Sequence, residues 1–299
     1  MDNISPSPER LLDMLAWAGR TPSLSLIRAC LARQAELTPG LLAMFAASLE
    51  DDWKRPDDPR WYRGIHAGRL LIAFRAEAAL PIFATLYRSD NNASLLEWFD
   101  TDPSYYGPVA IPTFVEVINH DTRGAYHYGR SLGVSVLGQI ALQYPEARER
   151  VLSALRALLP PLKADGSLAW PQETPPEDIW GTVVTNLGAL RDEVSQPVIL
   201  ALFERGWVNP MIIQKEEYQA CFAGDIPSPL QRVRRFDILQ AYRAVQPRAA
   251  QEFVVQRRPP ATLSPTFQAW MARHPEMPAL WWNARPPHDS GLLPRRWRS

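Results

Sequence analysis

A chain of 299 residues, 46% apolar and 21% charged, has material for one extended helical array or two compact domains. The longest apolar run, near 132–142, is broken by Gly133, Ser135, Gly138 and Gln139, so no stretch approaches the ~20 residues that span a bilayer. Formal charge is zero but uneven: residues 231–299 hold twelve arginines against four acids, a balance of +8, which leaves −8 on residues 1–230. That basic C-terminal part is expected either to meet an acidic partner or nucleic acid, or to fold back onto the acidic body. Cys30 and Cys221 are far apart on apolar helical faces and read as buried thiols, without a disulfide or a metal site. Together with an opening Met1-Asp2-Asn3-Ile4-Ser5-Pro6 that lacks signal-peptide character, they predict a cytoplasmic protein with no membrane segment.

Helix starts are written as Ser or Thr followed by Pro, an N-cap and a first helical residue that needs no N–H. Ser7-Pro8, Thr21-Pro22 and Thr38-Pro39 predict helices at about 7–18, 22–34 and 38–50. Ser228-Pro229 and Ser264-Pro265 repeat the signal, and Thr174-Pro175-Pro176-Glu177 adds a capping-box glutamate. Period-two alternation bounded by hairpin turns is missing, so strands are not expected.

One stretch recurs at an offset of 116 residues. Leu71-Ile72-Ala73-Phe74-Arg75-Ala76-Glu77, leading to Pro81-Ile82-Phe83, matches Leu187-Gly188-Ala189-Leu190-Arg191-Asp192-Glu193, leading to Pro197-Val198-Ile199. A looser copy surrounds Leu137-Gly138-Gln139-Ile140 and Tyr144-Pro145. Such recurrence marks helical units that bury their apolar faces only by stacking. The expected fold is all-α: a HEAT-like α-solenoid over residues 1–256, with helix pairs at about 59–88, 123–159 and 175–206. Residues 89–122 and 160–174 read as long connections. A Pro-, Arg- and Trp-rich extension follows at 257–299.

The order of these segments resembles a known family. Leu11-Leu12-Asp13-Met14-Leu15-Ala16-Trp17-Ala18-Gly19 is followed by Ile65-His66-Ala67 and Leu70-Leu71-Ile72-Ala73-Phe74-Arg75. Asn186-Leu187-Gly188-Ala189-Leu190, Leu202-Phe203-Glu204-Arg205-Gly206 and Asn209-Pro210-Met211-Ile212-Ile213 come later. Over about 8–225 the chain looks like a bacterial family of HEAT-like proteins catalogued as a domain of unknown function. The resemblance implies a helical-repeat fold. Some members of that family carry a cysteine-rich metal-binding motif near the C-terminus; this chain has no cysteine there.

Candidate functional residues sit at the unit starts. Trp61, Arg63 and His66 open the first unit, Tyr126, His127 and Arg130 the second, and Trp180 the third. Stacked units would either align them as a partner-binding edge or use the aromatics to fill space between units. Arg295, Arg296, Trp297 and Arg298 could hold an acidic partner or stack on single-stranded bases. Asp100-Thr101-Asp102 offers paired carboxylates or a turn before Pro103. His120 and His127 near Ser131 would suit a hydrolase, whereas a small residue between helices is the plainer alternative. None of the five histidines has ligand spacing, so no metal or cofactor is expected. Gly129 and Gly133 are placed to let two helices approach closely. The functional expectation is a non-enzymatic scaffold or adaptor for a protein or peptide partner. Nucleic-acid binding through the basic C-terminal part is the alternative, and an enzyme at the aromatic–histidine edge a further one.

Overall fold

The computed structural model describes residues 6–50, 58–89, 92–120, 128–169, 177–223 and 231–245. Among them every regular element is helical, apart from one isolated antiparallel bridge between Leu162 and Leu168. None of the described helices is long and apolar enough to cross a membrane. Tyr126, His127 and the 257–299 extension lie outside the described residues.

The first cap lies where the sequence puts it. Ser7 Oγ accepts from the N–H of Arg10 at 3.3 Å and starts α1, Pro8–Ala16, with Pro8 at its head. The next two starts differ from expectation. Ser23, not Thr21, caps α2, Leu24–Leu31, through a 3.2 Å bond from the N–H of Leu26. The third helix, α3, runs from Gln34 to Ser48 and carries Pro39 inside it. Proline there forgoes the bond to the Ala35 carbonyl and crowds that carbonyl with its ring, while Thr38 Oγ1 turns back to the Gln34 carbonyl at 2.8 Å instead of capping.

From Asp58 onward the chain repeats a local programme of helix, abrupt stop, 3-10 turn and helix. Asp58 caps a 3-10 turn, Pro59–Tyr62, that leads into α4, Arg63–Ala73. The turn Glu77–Ala79 then restarts the chain as α5, Leu80–Arg88. The third predicted pair is built alike, with α10, Glu177–Ala189, a turn at Glu193–Ser195 and α11, Gln196–Glu204. Both first helices stop on an arginine in the left-handed region, Arg75 at φ 51° and Arg191 at φ 48°. Ala76 N–H reaches the Leu71 carbonyl and Asp192 N–H the Leu187 carbonyl, both at 3.0 Å. These 6→1 bonds define a Schellman stop. The recurring letters therefore set stops and restarts as well as core. The middle pair, α8, Tyr128–Gln143, and α9, Arg148–Arg156, has the 3-10 turn Pro145–Ala147 but no left-handed residue, since Tyr144 sits at φ −128°.

Residues 89–122 are more than a connection. After the short α6, Ala93–Leu96, the chain turns through left-handed Asp100 and a 3-10 stretch, Asp102–Ala110, into α7, Ile111–Asn119. Ala110-Ile111-Pro112-Thr113-Phe114 there repeats the restart Ala79-Leu80-Pro81-Ile82-Phe83. Phe114 and Phe83 are both fully buried. Phe83 also packs with Phe45 and Phe99, ring centroids 4.8 to 5.5 Å apart, tying α3 to α5 and to the turn after α6. Beyond α11 lie α12, Lys215–Ala220, and α13, Ile238–Val245.

Helix α8 is the hub. Its neighbours include α5, α7, α9 and α10, and most of its residues are buried. Glycine faces the helix at three of these approaches. A Cβ on Gly129 would lie 1.9 Å from the backbone oxygen of Tyr87 at the end of α5. On Gly133 it would press Val117 and Ile118 of α7, and on Gly138 it would meet Asn186 Oδ1 of α10 at 1.9 Å. The pairs are also joined by charge. Asp192, 3% exposed, accepts both Nε and Nη2 of Arg156 on α9, at 3.0 and 2.6 Å, and the Ser195 hydroxyl at 2.5 Å. Burial by itself would raise that carboxyl's pKa, but the bonds from Arg156 and Ser195 and the arginine's charge outweigh it and hold the pKa below its ordinary value.

Gly129→Ala must push α8 off α5 and should cost roughly 1–3 kcal/mol in chemical denaturation. Gly166→Ala is the control: at φ 78° with open space around it, it carries only the left-handed strain of about 1 kcal/mol. Because the folded pKa of Asp192 is depressed, its stabilisation is complete above about pH 4 and is lost as pH falls through the lower folded value. Denaturant midpoints measured from pH 5 down to pH 2 should fall less steeply in Asp192→Asn than in the wild type.

Candidate functional site

Three inner helices end with the same step, in which Leu70, Ile140 and Asn186 accept from the N–H groups of Phe74, Tyr144 and Leu190. The residues just before these acceptors, Arg69, Gln139 and Thr185, therefore hold equivalent places on α4, α8 and α10. All three are polar and buried. Thr185 satisfies itself within α10, giving its hydroxyl to the Gly181 carbonyl at 2.8 Å. Gln139 and Arg69 instead meet residues 231–245.

Gln139 grips a length of extended chain by its backbone. Its Nε2 donates to the Arg232 carbonyl at 3.3 Å, and its Oε1 accepts from the Arg234 N–H at 2.8 Å. One side-chain amide thus does what a neighbouring β-strand would do, without regard to the side chains it holds. Side chains are read alongside. Arg234 Nη1 reaches Asp100 Oδ2 at 2.5 Å and Thr101 Oγ1 at 3.4 Å. Asp100 is fixed by its left-handed turn and by Tyr87, whose buried hydroxyl donates to the Asp100 carbonyl at 2.7 Å. Phe236 packs on Tyr105 at 5.8 Å, and the Arg75 guanidinium lies 4.3 Å over that tyrosine ring. A groove of about 920 Å³ lies between this segment and the ends of α4 and α8, lined by Ala73, Arg75, Tyr105, Leu142 and Tyr144.

Farther along, Asp237 Oδ1 caps α13 through the Gln240 N–H at 3.0 Å, and Tyr242, fully buried, docks on α4. Its hydroxyl is 2.7 Å from His66 Nδ1, while His66 Nε2 is 2.8 Å from the Gly19 carbonyl. A carbonyl only accepts, so Nε2 carries the proton and Nδ1 receives the tyrosine's. Burial, opposed by the Gly19 bond and reinforced by the charge of Arg69, pushes His66 down to about 4. Arg69, 7% exposed, lies 5.3 Å from the Trp98 and Tyr242 ring centres and donates from Nη2 to the Trp98 carbonyl at 3.3 Å. Its Nε and Nη1 have no hydrogen-bond partner among the described residues.

The residues singled out in the sequence fall into several places. Trp61 and His66 come together through Tyr62 and Trp98, with ring distances of 4.9 to 6.5 Å, and Arg63 lies half-buried at the same end of α4. His66 is buried and holds α13 in place of facing solvent. Arg130 Nε caps α7 through the Ile118 carbonyl at 2.6 Å. Trp180 has no accessible surface; it stacks on Trp207 and donates to the Leu158 carbonyl at 2.9 Å, so it fills space. Tyr126, His127, Arg295, Arg296, Trp297 and Arg298 lie outside the described residues. Ser131 Oγ is buried without a hydrogen-bond partner, and no group of three metal-ligating side chains occurs among the described residues. Asp100-Thr101-Asp102 forms a turn, and its first two residues bind Arg234. Sequence reasoning missed Gln139, Tyr105, Arg234 and Phe236. The one available signal was an amide, Gln139, amid the apolar residues of the second half of α8.

No family model matches the chain, and neither a curated protein nor a solved structure matches it.

Because the folded pKa of His66 lies below the unfolded 6.5, the unfolded chain takes up the proton first. Its contribution is complete above pH 6.5 and is lost between pH 6.5 and about 4, by about 3 kcal/mol at most. Urea unfolding at pH 7 and pH 4.5 should show that loss in the wild type, and His66→Gln should remove most of the pH dependence in that window.

Proposed function

We propose that the protein is a non-enzymatic scaffold or adaptor of HEAT-like α-solenoid build that holds an extended segment of a protein partner on the face formed by α4 and α8. The observation that carries this is Gln139, a buried amide hydrogen-bonded to the carbonyl and N–H of one extended segment, Arg232 and Arg234. A bare amide needs buried partners for both its ends, and an extended backbone supplies them whatever its sequence. The stacking reading is supported by the succession of helix contacts, α3 on α4, α7 on α8, α8 on α10 and α10 on α12. It is also supported by the recurrence of the same stop-and-restart geometry in the first and third pairs, with the 3-10 restart shared by the middle one. Nucleic-acid binding is the second reading, favoured by Arg232 and Arg235, which lie exposed beside Arg234.

Selection of peptides from a random library by the full chain tests the first reading. Binders are expected, and Gln139→Ala, in a chain that keeps its helical circular dichroism, should weaken them about tenfold or more, the worth of two backbone bonds. A selection that yields nothing, or binders indifferent to Gln139, would sink it. Salt-sensitive retention of DNA or RNA that disappears on deleting residues 257–299 would favour the second reading instead.

A further inference from the structure

We propose that Gln231–Asp237 is a resident, replaceable occupant of a peptide groove. Its competitor is a partner segment of the same chemistry, an extended chain with arginine followed two residues later by an aromatic ring. This rests on the adaptor reading above and adds what the partner must look like. In an extended chain, side chains two apart fall on the same side, roughly 7 Å from one another. Arg234 and Phe236 have that spacing, and both are received: the arginine by Asp100 and Thr101, the ring by Tyr105. Val233 and Arg235, the alternate residues, are exposed and line the groove beside the segment, without a hydrogen bond or ring contact of their side chains among the described residues. The Gln139 clamp fixes the register, since it holds the N–H of the arginine itself.

The receiving groups are set in place independently of the occupant. Asp100 is aimed by its left-handed turn and the Tyr87 hydroxyl, and Tyr105 is backed by Arg75, whose Nη2 is 3.4 Å from the Tyr144 hydroxyl. The occupant itself is lightly held. Arg234 and Asp100 keep 42% and 50% of their side-chain surface, and an ion pair that open to water contributes little. Phe236 is only half-buried and lines the groove of about 920 Å³. On its C-terminal side displacement stops at Asp237, because Ile238 and Tyr242 of α13 are buried anchors of their own.

The probe is a fluorescein-labelled peptide of residues 231–240, titrated against the full chain and against the full chain carrying Arg234→Ala and Phe236→Ala. The emptied groove should bind it about tenfold more tightly than the wild type, where the tethered segment competes. A peptide with alanine at the arginine and phenylalanine should bind the emptied groove about tenfold more weakly. Equal binding of the peptide to both chains, or of both peptides to the emptied groove, overturns the proposal and leaves the adaptor reading standing. No binding by either peptide overturns it as well; the adaptor reading falls with it only if library selection also yields nothing. Should the doubly substituted chain fail to fold, Asp100→Asn in the otherwise unaltered chain takes its place. There, preference for the arginine peptide over its arginine-to-alanine form must disappear, and a preference that persists overturns the proposal.

Discussion

Helix α8 is crowded from several sides at once, and the placement of its neighbours depends on how closely it can be approached. Glycine at 129, 133 and 138 removes the Cβ where α5, α7 and α10 come in. Each close approach leaves less apolar surface to water, and burial of that kind is the main favourable term in folding. The arrangement also restricts what else α8 can carry. Around the glycines stand Val134, Val136, Leu137 and Ile140, all fully buried, so a buried polar group on this face must find its partners inside the protein.

Gln139 is that polar group, and its solution is a length of backbone from almost a hundred residues later in the chain. Arg69, at the equivalent place on α4, meets the same problem with less success. Its guanidinium rests against the rings of Trp98 and Tyr242 with two of its nitrogens unpaired among the described residues. The neighbouring His66 responds by staying neutral, which leaves Nδ1 free to accept the Tyr242 proton. Residues 231–245 therefore serve two purposes: they complete the polar groups of the inner helices, and they cover part of the acidic body with basic chain. The fold-back of the basic C-terminal part holds for the described stretch, through Arg234 on Asp100.

What could be read in advance followed from local chemistry. Ser7 before Pro8 and the prolines at 81 and 197 act within a turn or two of their own position and head helices as expected, whereas the arginines at 75 and 191 recur without announcing that they are left-handed stops. Thr38-Pro39 misled because the same dipeptide fits inside a helix when the helix starts earlier, and Gln34 starts it, its amide bonded to the Phe74 carbonyl 40 residues away. The restart at Ala110-Ile111-Pro112 was hidden for a related reason. Its leading helix has shrunk to Ala93–Leu96, too short to show a helical period.

The site was harder to see because its parts are spread over the chain. Asp100, Tyr105, Gln139 and Arg234 share no motif and no spacing, and each has an ordinary local explanation. Trp180 and His66 drew notice as conspicuous residue types, yet burial turned one into packing and the other into an internal brace. The sequence alone thus determined the all-helical character of the described residues and some of the helix starts, since a cap or a proline acts through bonds between near neighbours. Only the tertiary structure decided which inner-face polar groups met the backbone of residues 231–245, because those bonds join residues separated by more than ninety positions, and pairing at that range depends on how the helices pack.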